Sequence, residues 1–276
     1  MNAPGDRFAP APLPFAWGSR TYIMGVLNVT PDSFSGDGIY LDPAAALDQA
    51  ERMVAEGADL IDLGGESTRP GAKPVDLEEE LRRVIPVIDR LAPRLTVPIS
   101  IDTSKSEVAR RAIAAGATIV NDVWGLRADP QMPAAAAAAA GVVIMHNQSG
   151  TEYADLLGDI LRVLRQSIDL ATAAGIPRDR LIVDPGIGFG KTPDHNLEIL
   201  DRLSFLRELG PPILVGTSRK STIGKVLDLP PGDRVEGTAA TVAIAIARGA
   251  DIVRVHDVKP LARVARMADA IVRRRC

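Results

Sequence analysis

The chain has 276 residues, of which 46% are hydrophobic and 24% are charged, and its formal net charge at pH 7 is −3. This composition excludes an intrinsically disordered chain, and the slight negative charge gives no general attraction to nucleic acid or to anionic membranes. No apolar stretch reaches the roughly 18 residues that a membrane-spanning helix needs. We therefore expect neither a nucleic acid nor a membrane among its partners.

The amino-terminal region and the cysteine content indicate where the protein acts. Residues 1–18 are rich in proline and lack the continuous apolar segment of a secretory signal. They predict an extended arm ahead of one domain over residues 19–276. The single Cys276 allows no intrachain disulfide and fits a reducing compartment, so we expect a cytoplasmic protein.

Eight short apolar runs recur along the chain, and each ends in a polar or small residue. Runs that are uniformly apolar are typical of parallel strands buried on both faces. Each interval leaves room for a helix, and the length suits an α/β protein of the (β/α)8 TIM barrel type, which commonly uses about 250 residues. A doubly wound open sheet stays as the alternative, because periodicity does not tell where a sheet closes. The predicted strands are residues 23–28, 60–65, 99–102, 119–122, 142–146, 181–184, 213–218 and 252–256.

Capping patterns predict where several of the intervening helices begin and end. Glycine followed by alanine predicts helix ends at Gly57, Gly116 and Gly249, because glycine adopts the left-handed conformation that closes a helix. The alanine run 134–140 predicts a helix without chemistry, and residues 261–272 predict an amphipathic last helix. Predicted helix starts are Asp42 before Pro43, Asp76 with Glu79, and Ser104 with Glu107.

In a TIM barrel the carboxyl ends of the strands form one mouth, where active sites lie. Polar, glycine-rich stretches follow three of the predicted strands, at residues 28–38, 64–71 and 218–221. Long loops of this kind can close over a ligand and exclude water. The sequence therefore predicts an active site at this mouth.

Acidic and amide side chains crowd the ends of the second, third, fourth and sixth predicted strands. Carboxylates this close repel one another unless a cation, a proton or the donors of a ligand neutralise them. A metal cluster and a heterocycle with adjacent N–H groups both stay open as occupants, although these ends lack the histidines of a zinc site. A carboxylate can accept two parallel hydrogen bonds from a guanine-like edge. The residues are Asp62, Asp102, Asn121, Asp122 and Asp184.

The last predicted strand carries residues for an anion site. Alternation sends Arg254 and His256 to the same face, into the mouth, while Val255 packs outward. The basic stretch 218–221 arrives beside them, and barrel enzymes commonly bind phosphate near strands seven and eight. Asn28, on the neighbouring first strand, offers an amide oxygen for a magnesium ion that bridges a diphosphate.

Two other histidines and one glycine-rich stretch carry weaker signals. We interpret His146 and His195 as structural, since His146 has no evident partner in the sequence and His195 lies at a predicted helix start. The stretch 186–190 lacks the spacing of a dinucleotide fingerprint, and no metal-binding cysteine pair is present.

Seven separated motifs lie at residues 24–35, 65–71, 100–103, 121–123, 184–191, 218–221 and 254–257. Together they resemble the dihydropteroate synthase family, and the resemblance covers residues 21–273. It implies a TIM-barrel transferase of folate biosynthesis. Such an enzyme condenses 6-hydroxymethyl-7,8-dihydropterin diphosphate with para-aminobenzoate to give 7,8-dihydropteroate and pyrophosphate.

The resemblance also implies which residues serve which part of the site, together with a homodimer and sensitivity to sulfonamides. For the pterin it implies Asp102, Asn121, Asp184 and Lys220. For the diphosphate it implies Asn28, Arg69, Arg254 and His256, with Mg²⁺ at Asn28. For the para-aminobenzoate slot it implies Thr68, Pro70, Phe189, Lys220 and Ser221. The catalytic residues it implies are Arg254, His256, Lys220 and Arg69.

Departures from the family and competing functions accompany this resemblance. The family reads Ser-Asp-Gly-Gly where this chain has Ser-Gly-Asp-Gly at 35–38, so Asp37 receives no role. A methyltransferase that binds methyltetrahydrofolate would explain the acids but gives the stretch 218–221 nothing to do. A non-catalytic pterin-binding paralogue would keep the pocket without turnover. A Schiff-base aldolase would need Lys220 in a dry pocket, but this lysine is predicted to lie beyond a strand end.

Overall fold

The computed structural model describes residues 11–30, 42–67 and 74–274, in which strands and helices alternate. The strands are β1 (Tyr22–Asn28), β2 (Leu60–Gly64), β3 (Ile99–Asp102), β4 (Ile119–Asp122), β5 (Gly141–Met145), β6 (Leu181–Asp184), β7 (Leu214–Val215) and β8 (Ile252–Val255). The helices are α1 (Pro43–Glu56), α2 (Leu77–Leu91), α3 (Ser106–Ala115), α4 (Met132–Ala136), α5 (Leu156–Ala173), α6 (Pro193–Asp201), α7 (Ser221–Leu227), α8 (Val235–Ala247) and α9 (Val258–Val272). None of the helices in these ranges combines the length and apolarity that crossing a membrane requires.

The eight strands form a single parallel sheet in the order β6-β5-β4-β3-β2-β1-β8-β7. A parallel bridge between Val183 and Ile213 joins the two ends of this order, and the Val183 N–H donates to the carbonyl of Pro212 at 2.9 Å. A doubly wound sheet would leave both of these edges unpaired. The TIM barrel prediction is therefore confirmed, and the open-sheet alternative is excluded.

Strand β7 is shorter than the sequence predicts. The apolar run predicts a strand over residues 213–218, but only Leu214–Val215 forms ladder pairs with β8. The chain then turns away from the sheet: the Lys220 N–H donates to the carbonyl of Thr217 at 3.1 Å, and Arg219 has a φ of 57°. Because β7 ends early, the residues after it form a turn, and this turn carries Lys220.

Two of the three predicted helix starts are confirmed. The Asp42 carboxylate accepts hydrogen bonds from the N–H groups of Ala44 and Ala45, both at 3.0 Å, at the start of α1. Asp76 caps α2 by accepting the Glu79 N–H at 2.8 Å. Side-chain acceptors thereby satisfy donors that the first turn leaves unpaired.

The predicted capping box of Ser104 and Glu107 is wrong. Lys105 occupies the N-cap position of α3 and makes no side-chain cap. The Ser106 N–H instead donates to the carboxylate of Asp129 at 2.8 Å, from the loop after β4. A tertiary contact has replaced the local one.

The predicted helix ends are largely confirmed. Gly57, Gly116 and Gly249 have φ values of 111°, 117° and 108°, respectively, in the left-handed region, and residues 261–272 lie within α9. The helix predicted over the alanine run 134–140 is wrong at its carboxyl end, since α4 stops at Ala136. The Ala140 N–H donates to the carbonyl of Thr118 at 2.8 Å, which draws the chain into β5.

The interior of the barrel is apolar at its amino end. Side chains from the early parts of the strands meet there, and Leu13, Phe15 and Trp17 of residues 11–18 pack against them. The rings of Phe15 and Tyr22 lie 4.5 Å apart, and those of Trp17 and Tyr22 lie 5.6 Å apart. The polar interior residues lie at the opposite, carboxyl end of the barrel. The apolar interior set is Tyr22, Met24, Leu60, Ile119, Val143, Ile182, Leu214 and Ile252.

Candidate active site

Alternation along the strands turns one set of polar side chains into the carboxyl end of the barrel. Successive strand residues point to opposite faces, so the neighbours of the polar residues, such as Leu63, Ile101 and Val120, lie in the core outside the sheet. The inward set is contributed by five different strands. Its members are Asp62, Asp102, Asn121, Asp184 and Arg254.

Arg254 ties this set together across the barrel. Its Nε donates to Asp62 Oδ2 at 2.6 Å, and its Nη2 donates to Asp102 Oδ2 at 2.9 Å. Burial works against the charged guanidinium, but the two carboxylates outweigh it and raise the pKa of Arg254 above its usual value. Asn121 completes the group by donating from Nδ2 to Asp62 Oδ2 at 3.2 Å.

Asp102 is the member of the set that is prepared to accept a ligand donor. Its Oδ1 is buried and has no hydrogen-bond partner. Burial raises the pKa of Asp102 to about 7, with Arg254 lowering it and the nearby Asp62 carboxylate adding to the rise. An orphaned buried acceptor is costly, and a ligand N–H group would remove that cost.

Asp122 does not belong to the mouth, although the sequence groups it with the other acids. It is one residue further along β4 than Asn121, so alternation places it on the other face of the strand. Its carboxylate accepts the N–H groups of Trp124 at 2.9 Å and Leu126 at 2.7 Å. Burial raises its pKa to about 6, and its role is to fix the loop that follows β4.

Asp184 and Lys220 face each other on the other side of the mouth. Asp184 Oδ1 accepts the Gly186 N–H at 2.7 Å, and burial raises the pKa of Asp184 while Lys220 opposes the rise. Lys220 Nζ donates to the carbonyl of Ile187 and lies 4.7 Å from the centroid of the Phe189 ring. Burial lowers the pKa of Lys220 to about 8, and Asp184 opposes that change.

The loop that carries Ile187 and Phe189 is supported by a buried pair that no local sequence pattern indicates. Lys191 Nζ lies 2.9 Å from His146 Nδ1 and donates to the carbonyl of Phe189 at 2.9 Å. Burial lowers the pKa of Lys191 to about 7 and that of His146 to about 3. The interpretation of His146 as structural is confirmed, and its partner is a lysine 45 residues away.

The same loop has two further supports. Asn196 Oδ1 accepts the Gly188 N–H at 2.9 Å while its Nδ2 donates to Thr222 Oγ1 at 2.9 Å, which links the loop to α7. Tyr153 donates to the carbonyl of Gly190 at 2.8 Å. Sequence reasoning missed Asn196, because the stretch around it is dominated by the helix start.

His195 has the structural role that the sequence indicates. It lies at the third position of α6 in a capping box with Thr192, whose Oγ1 accepts the His195 N–H at 3.2 Å. The Thr192 N–H lies 3.4 Å from His195 Nδ1 and completes the box.

The cationic side of the mouth is formed by β8 and the turn after β7. His256 is oriented by Ser218, whose Oγ accepts the His256 N–H at 3.1 Å and lies 3.0 Å from Nδ1. Arg219 instead makes a two-pronged ion pair with Asp257, at 2.9 and 2.5 Å. Arg254 and His256 thus share this face, as alternation predicts, whereas Val255 packs in the outer core.

The remaining predicted site residues lie at the edges of this arrangement. Asn28 ends β1, half-buried and paired in register with Gly64. Ser221 is exposed at the first position of α7. Thr68, Arg69 and Pro70 lie outside the described residues, as do Asp37 and Cys276.

The chain just before residues 68–73 is anchored by a charged network. Lys105 Nζ lies 2.5 Å from both Glu66 and Glu80 carboxylates, and Glu80 is fully buried. Burial lowers the pKa of Lys105, but the hydrogen bonds to the two glutamates outweigh it and raise the pKa overall. Arg83 adds a hydrogen bond to the carbonyl of Gly65 at 2.9 Å.

The arrangement has two chemical halves that meet at Arg254. Asp102, Asn121 and Asp184 form a buried group of acceptors and amides suited to a flat ligand with several N–H donors. Arg254 and Lys220 provide donors and positive charge beside it, and His256 adds a polar ring, which together suit an anionic group on the same ligand. Such a site can stabilise negative charge that develops on a departing anion.

Comparison with known proteins shows which proteins this chain is similar to. The profile of the family described as pterin binding enzyme matches residues 24–256. The chain is 51% identical to the dihydropteroate synthase of Bacillus subtilis over 262 residues, covering 95% of this chain and 92% of that protein.

Solved structures agree in fold and in sequence. Dihydropteroate synthase from Clostridium difficile in the presence of pteroic acid superposes with a TM-score of 0.90 at 54% identity, covering 94% of this chain and 100% of that one. The Yersinia pestis enzyme with a sulfonamide drug complex gives a TM-score of 0.89 at 45% identity, covering 92% and 95%.

Replacing Gly186 with alanine should destabilise the protein far more than the same change at Gly175. Both glycines have positive φ, 73° and 85°, so both variants carry a backbone cost of about 1–2 kcal/mol. Only at Gly186 would the new Cβ lie 1.9 Å from the carbonyl oxygen of His146, whereas nothing lies within 4 Å at Gly175. Chemical denaturation of the two variants measures the difference, and equal free energies of unfolding would contradict this account of the loop.

Proposed function

This chain belongs to the pterin binding enzyme family, and we propose that it acts as a dihydropteroate synthase. It joins 6-hydroxymethyl-7,8-dihydropterin diphosphate to para-aminobenzoate and releases pyrophosphate. The observation that carries the proposal is the buried acceptor group at Asp102, Asn121 and Asp184 directly beside the Arg254 guanidinium.

The pterin binds against the acidic half of the mouth. Its edge offers an amide N–H and an amino group side by side, and the unpartnered Asp102 Oδ1 supplies a buried acceptor for such donors. Asn121 and Asp184 extend the acceptor set, and Lys220 supplies a donor. The methyltransferase alternative leaves Lys220 and the turn after β7 without a function, so it is not favoured.

The diphosphate binds at the cationic half, to Arg254, His256 and Asn28, and to Arg69, which lies outside the described residues. Arg254 is anchored by Asp62 and Asp102, and His256 by Ser218. Groups fixed in this way need little rearrangement when charge develops on the leaving group.

Magnesium fits the donor chemistry around Asn28. Mg²⁺ prefers oxygen ligands and is commonly held by one or two protein groups together with substrate phosphates. The Asn28 side chain supplies an amide oxygen at the end of β1, and no cluster of three or more acid, His or Cys side chains in the described ranges forms a separate metal site. When bound there with the diphosphate, the ion would neutralise negative charge on the phosphate oxygens.

Pyrophosphate departs before the arylamine attacks. Negative charge builds on the diphosphate as the carbon–oxygen bond breaks, so Arg254 and His256 stabilise the transition state more than the ground state. The carbon left behind is cationic and is favoured by the nearby aspartates. The amine of para-aminobenzoate is already nucleophilic and needs only to be positioned.

Para-aminobenzoate occupies a slot at Phe189, Lys220 and Ser221, to which Thr68 and Pro70, outside the described residues, also contribute. The Phe189 ring and the Lys220 ammonium lie in contact, which offers an apolar face and a positive charge for an aromatic carboxylate. Sulfonamides compete for this slot. The Yersinia pestis relative was solved with such a drug.

The protein forms a homodimer in the cytoplasm. Helix α8 is apolar on most sides, and its outward residues include Ile244, which is 48% exposed, with Met267 and Ile271 on the adjacent α9 also exposed. A second copy of the chain would cover this apolar surface.

The cytoplasmic location is supported by the single cysteine, which fits a reducing compartment. Cell fractionation that finds the protein in the envelope would contradict this location.

Pyrophosphate release should require the pterin diphosphate, para-aminobenzoate and magnesium together. A coupled pyrophosphate assay with purified protein measures it, with single omissions, a chelator and a sulfonamide as the other arms. We expect no signal when any component is omitted and competitive inhibition by the sulfonamide. Release that ignores the arylamine would mean hydrolysis only, and no release in the complete mixture would favour the non-catalytic paralogue.

Arg254→Ala should lower kcat by about 100- to 1,000-fold, the usual effect of removing one group that stabilises developing negative charge. Pterin affinity should fall less than kcat does, and part of that fall follows from the higher pKa that Asp102 has once Arg254 is removed. The matched control is Arg162→Ala, which removes an exposed arginine paired with Asp159 on α5. Steady-state kinetics and pterin binding measure the two effects, and an unchanged kcat would refute the role of Arg254.

Pterin affinity should fall as the pH drops below about 7. Because the pKa of Asp102 is raised to about 7 by burial, the ionised acceptor is present above that pH and is lost below it. Titration calorimetry with pteroic acid between pH 5 and 9 measures the dependence, corrected for titration of the ligand. Asp102→Asn should bind weakly and lose the transition near pH 7; a transition that persists in this variant would assign it to another group.

Ile244→Asp should shift the protein from dimer to monomer, because it puts a charge on the apolar surface of α8 and α9. Leu170→Asp is the control, since Leu170 is also exposed, at 41%, but lies on α5. Light scattering coupled to gel filtration measures the mass. A monomeric wild-type protein, or a dimer that survives Ile244→Asp, would rule out this interface.

A further inference from the structure

Asp62 occupies the centre of the site without being able to touch a ligand. It lies on β2 with 0% of its surface exposed. Oδ2 accepts from Arg254 Nε at 2.6 Å and from Asn121 Nδ2 at 3.2 Å, and Oδ1 lies 3.4 Å from the same Asn121 nitrogen. Both oxygens are therefore used by protein donors.

We infer that Asp62 is a positioning residue that aligns the two halves of the mouth, by fixing the Asn121 amide on one side and the Arg254 guanidinium on the other. This inference rests on the proposed function and adds to it a residue that acts on the substrate only through others. Its contacts span 59 and 192 residues of sequence, so it links β2 to β4 and to β8.

The contact with Asn121 decides which end of that amide meets the ligand. A side-chain amide presents either two donors or an acceptor, depending on its orientation. Because Nδ2 is bonded to the Asp62 carboxylate, the carbonyl end of Asn121 is the one turned to other partners. Asp62 thereby leaves the Asn121 carbonyl oxygen for the ligand, which favours a ligand edge made of N–H donors.

The contact with Arg254 decides which edge of the guanidinium is used. Asp62 takes Nε, and Asp102 takes Nη2. Nη1 takes part in neither contact and is the nitrogen available to an anion. The guanidinium is planar, and the two carboxylates that bond to it lie on two strands of the barrel. Together they hold it in one orientation.

Asp62 also acts on Asp102 through its charge. The charged groups that act electrostatically on Asp102 are Arg254 from β8, Asp62 from β2, Glu80 from α2, Asp122 from the outer face of β4 and Lys220 from the turn after β7. The Asp62 carboxylate raises the pKa of Asp102, second only to burial among the contributions that raise it. Without the Asp62 charge, Asp102 would lose a neighbouring negative charge that raises its pKa. Arg254 would then pair with Asp102 alone, which lowers the pKa of Asp102 further.

Asp62→Asn separates a positioning role from simple packing. The change keeps the volume but removes the charge and lets residue 62 donate to Asn121, which would turn the wrong end of that amide to the ligand. We expect pteroic acid to bind at least about tenfold more weakly at pH 8, and kcat to fall as Arg254 loses its anchor. The acid limb of pteroic acid binding should move about one pH unit lower. Titration calorimetry over pH 5–9 and steady-state kinetics measure these effects.

Asp122→Asn is the matched control, because Asp122 is an equally buried strand-end acid that contacts only backbone N–H groups. It should lower stability but leave pteroic acid affinity close to wild type and move the acid limb less. If Asp62→Asn weakens binding no more than Asp122→Asn and leaves the limb in place, Asp62 is only a packing residue and the inference fails.

Asp62→Glu keeps the test decisive if the asparagine variant does not fold. It retains the negative charge but displaces it by one methylene, so the acid limb should stay near that of wild type while pteroic acid affinity falls. Wild-type affinity in this variant would overturn the positioning role. A wild-type protein that binds pteroic acid but releases no pyrophosphate would instead sink the proposed reaction and leave these binding tests valid.

Discussion

The ion pairs of Arg254 with Asp62 and Asp102 are the interaction on which the rest of the site depends. Carboxylates buried at the ends of neighbouring strands repel one another, and burying each one without a partner costs several kcal/mol. One guanidinium, 20% exposed, bonds to both at 2.6 and 2.9 Å. The closed barrel can therefore end in acids rather than in apolar side chains, and those acids can be used for recognition.

Burial tunes the ionisable groups around this pair. The pKa of Asp102 rises to about 7, while those of Lys220 and Lys191 fall to about 8 and about 7. In each case burial is the largest cause, because taking a charge out of water disfavours its charged form. The consequence is a mouth where donors and acceptors interact with little competition from water, which is where a developing charge is stabilised most effectively.

The amino end of the barrel contributes mainly to stability, and the carboxyl end carries the residues for recognition. At the amino end, the aromatic cluster of Phe15, Trp17 and Tyr22 closes the interior with apolar contacts. At the carboxyl end, the loop after β6 is held by backbone-directed bonds from Lys191 and Tyr153, so that Phe189 meets Lys220. Binding groups are thus placed on fixed elements of the barrel.

The sequence alone determined the parallel strands, most helix boundaries and the set of polar residues at the strand ends, because these follow from local patterns of burial, capping and alternation. The same alternation that placed Arg254 and His256 together would have separated Asn121 from Asp122. Only the tertiary structure decided which partners those residues have: the bonds of Asp62 to Asn121 and Arg254, the Lys191–His146 pair and the cap that Asp129 gives Ser106. Their partners lie tens to hundreds of residues apart, and local pattern carries no information about which distant chain segments the closed barrel brings into contact.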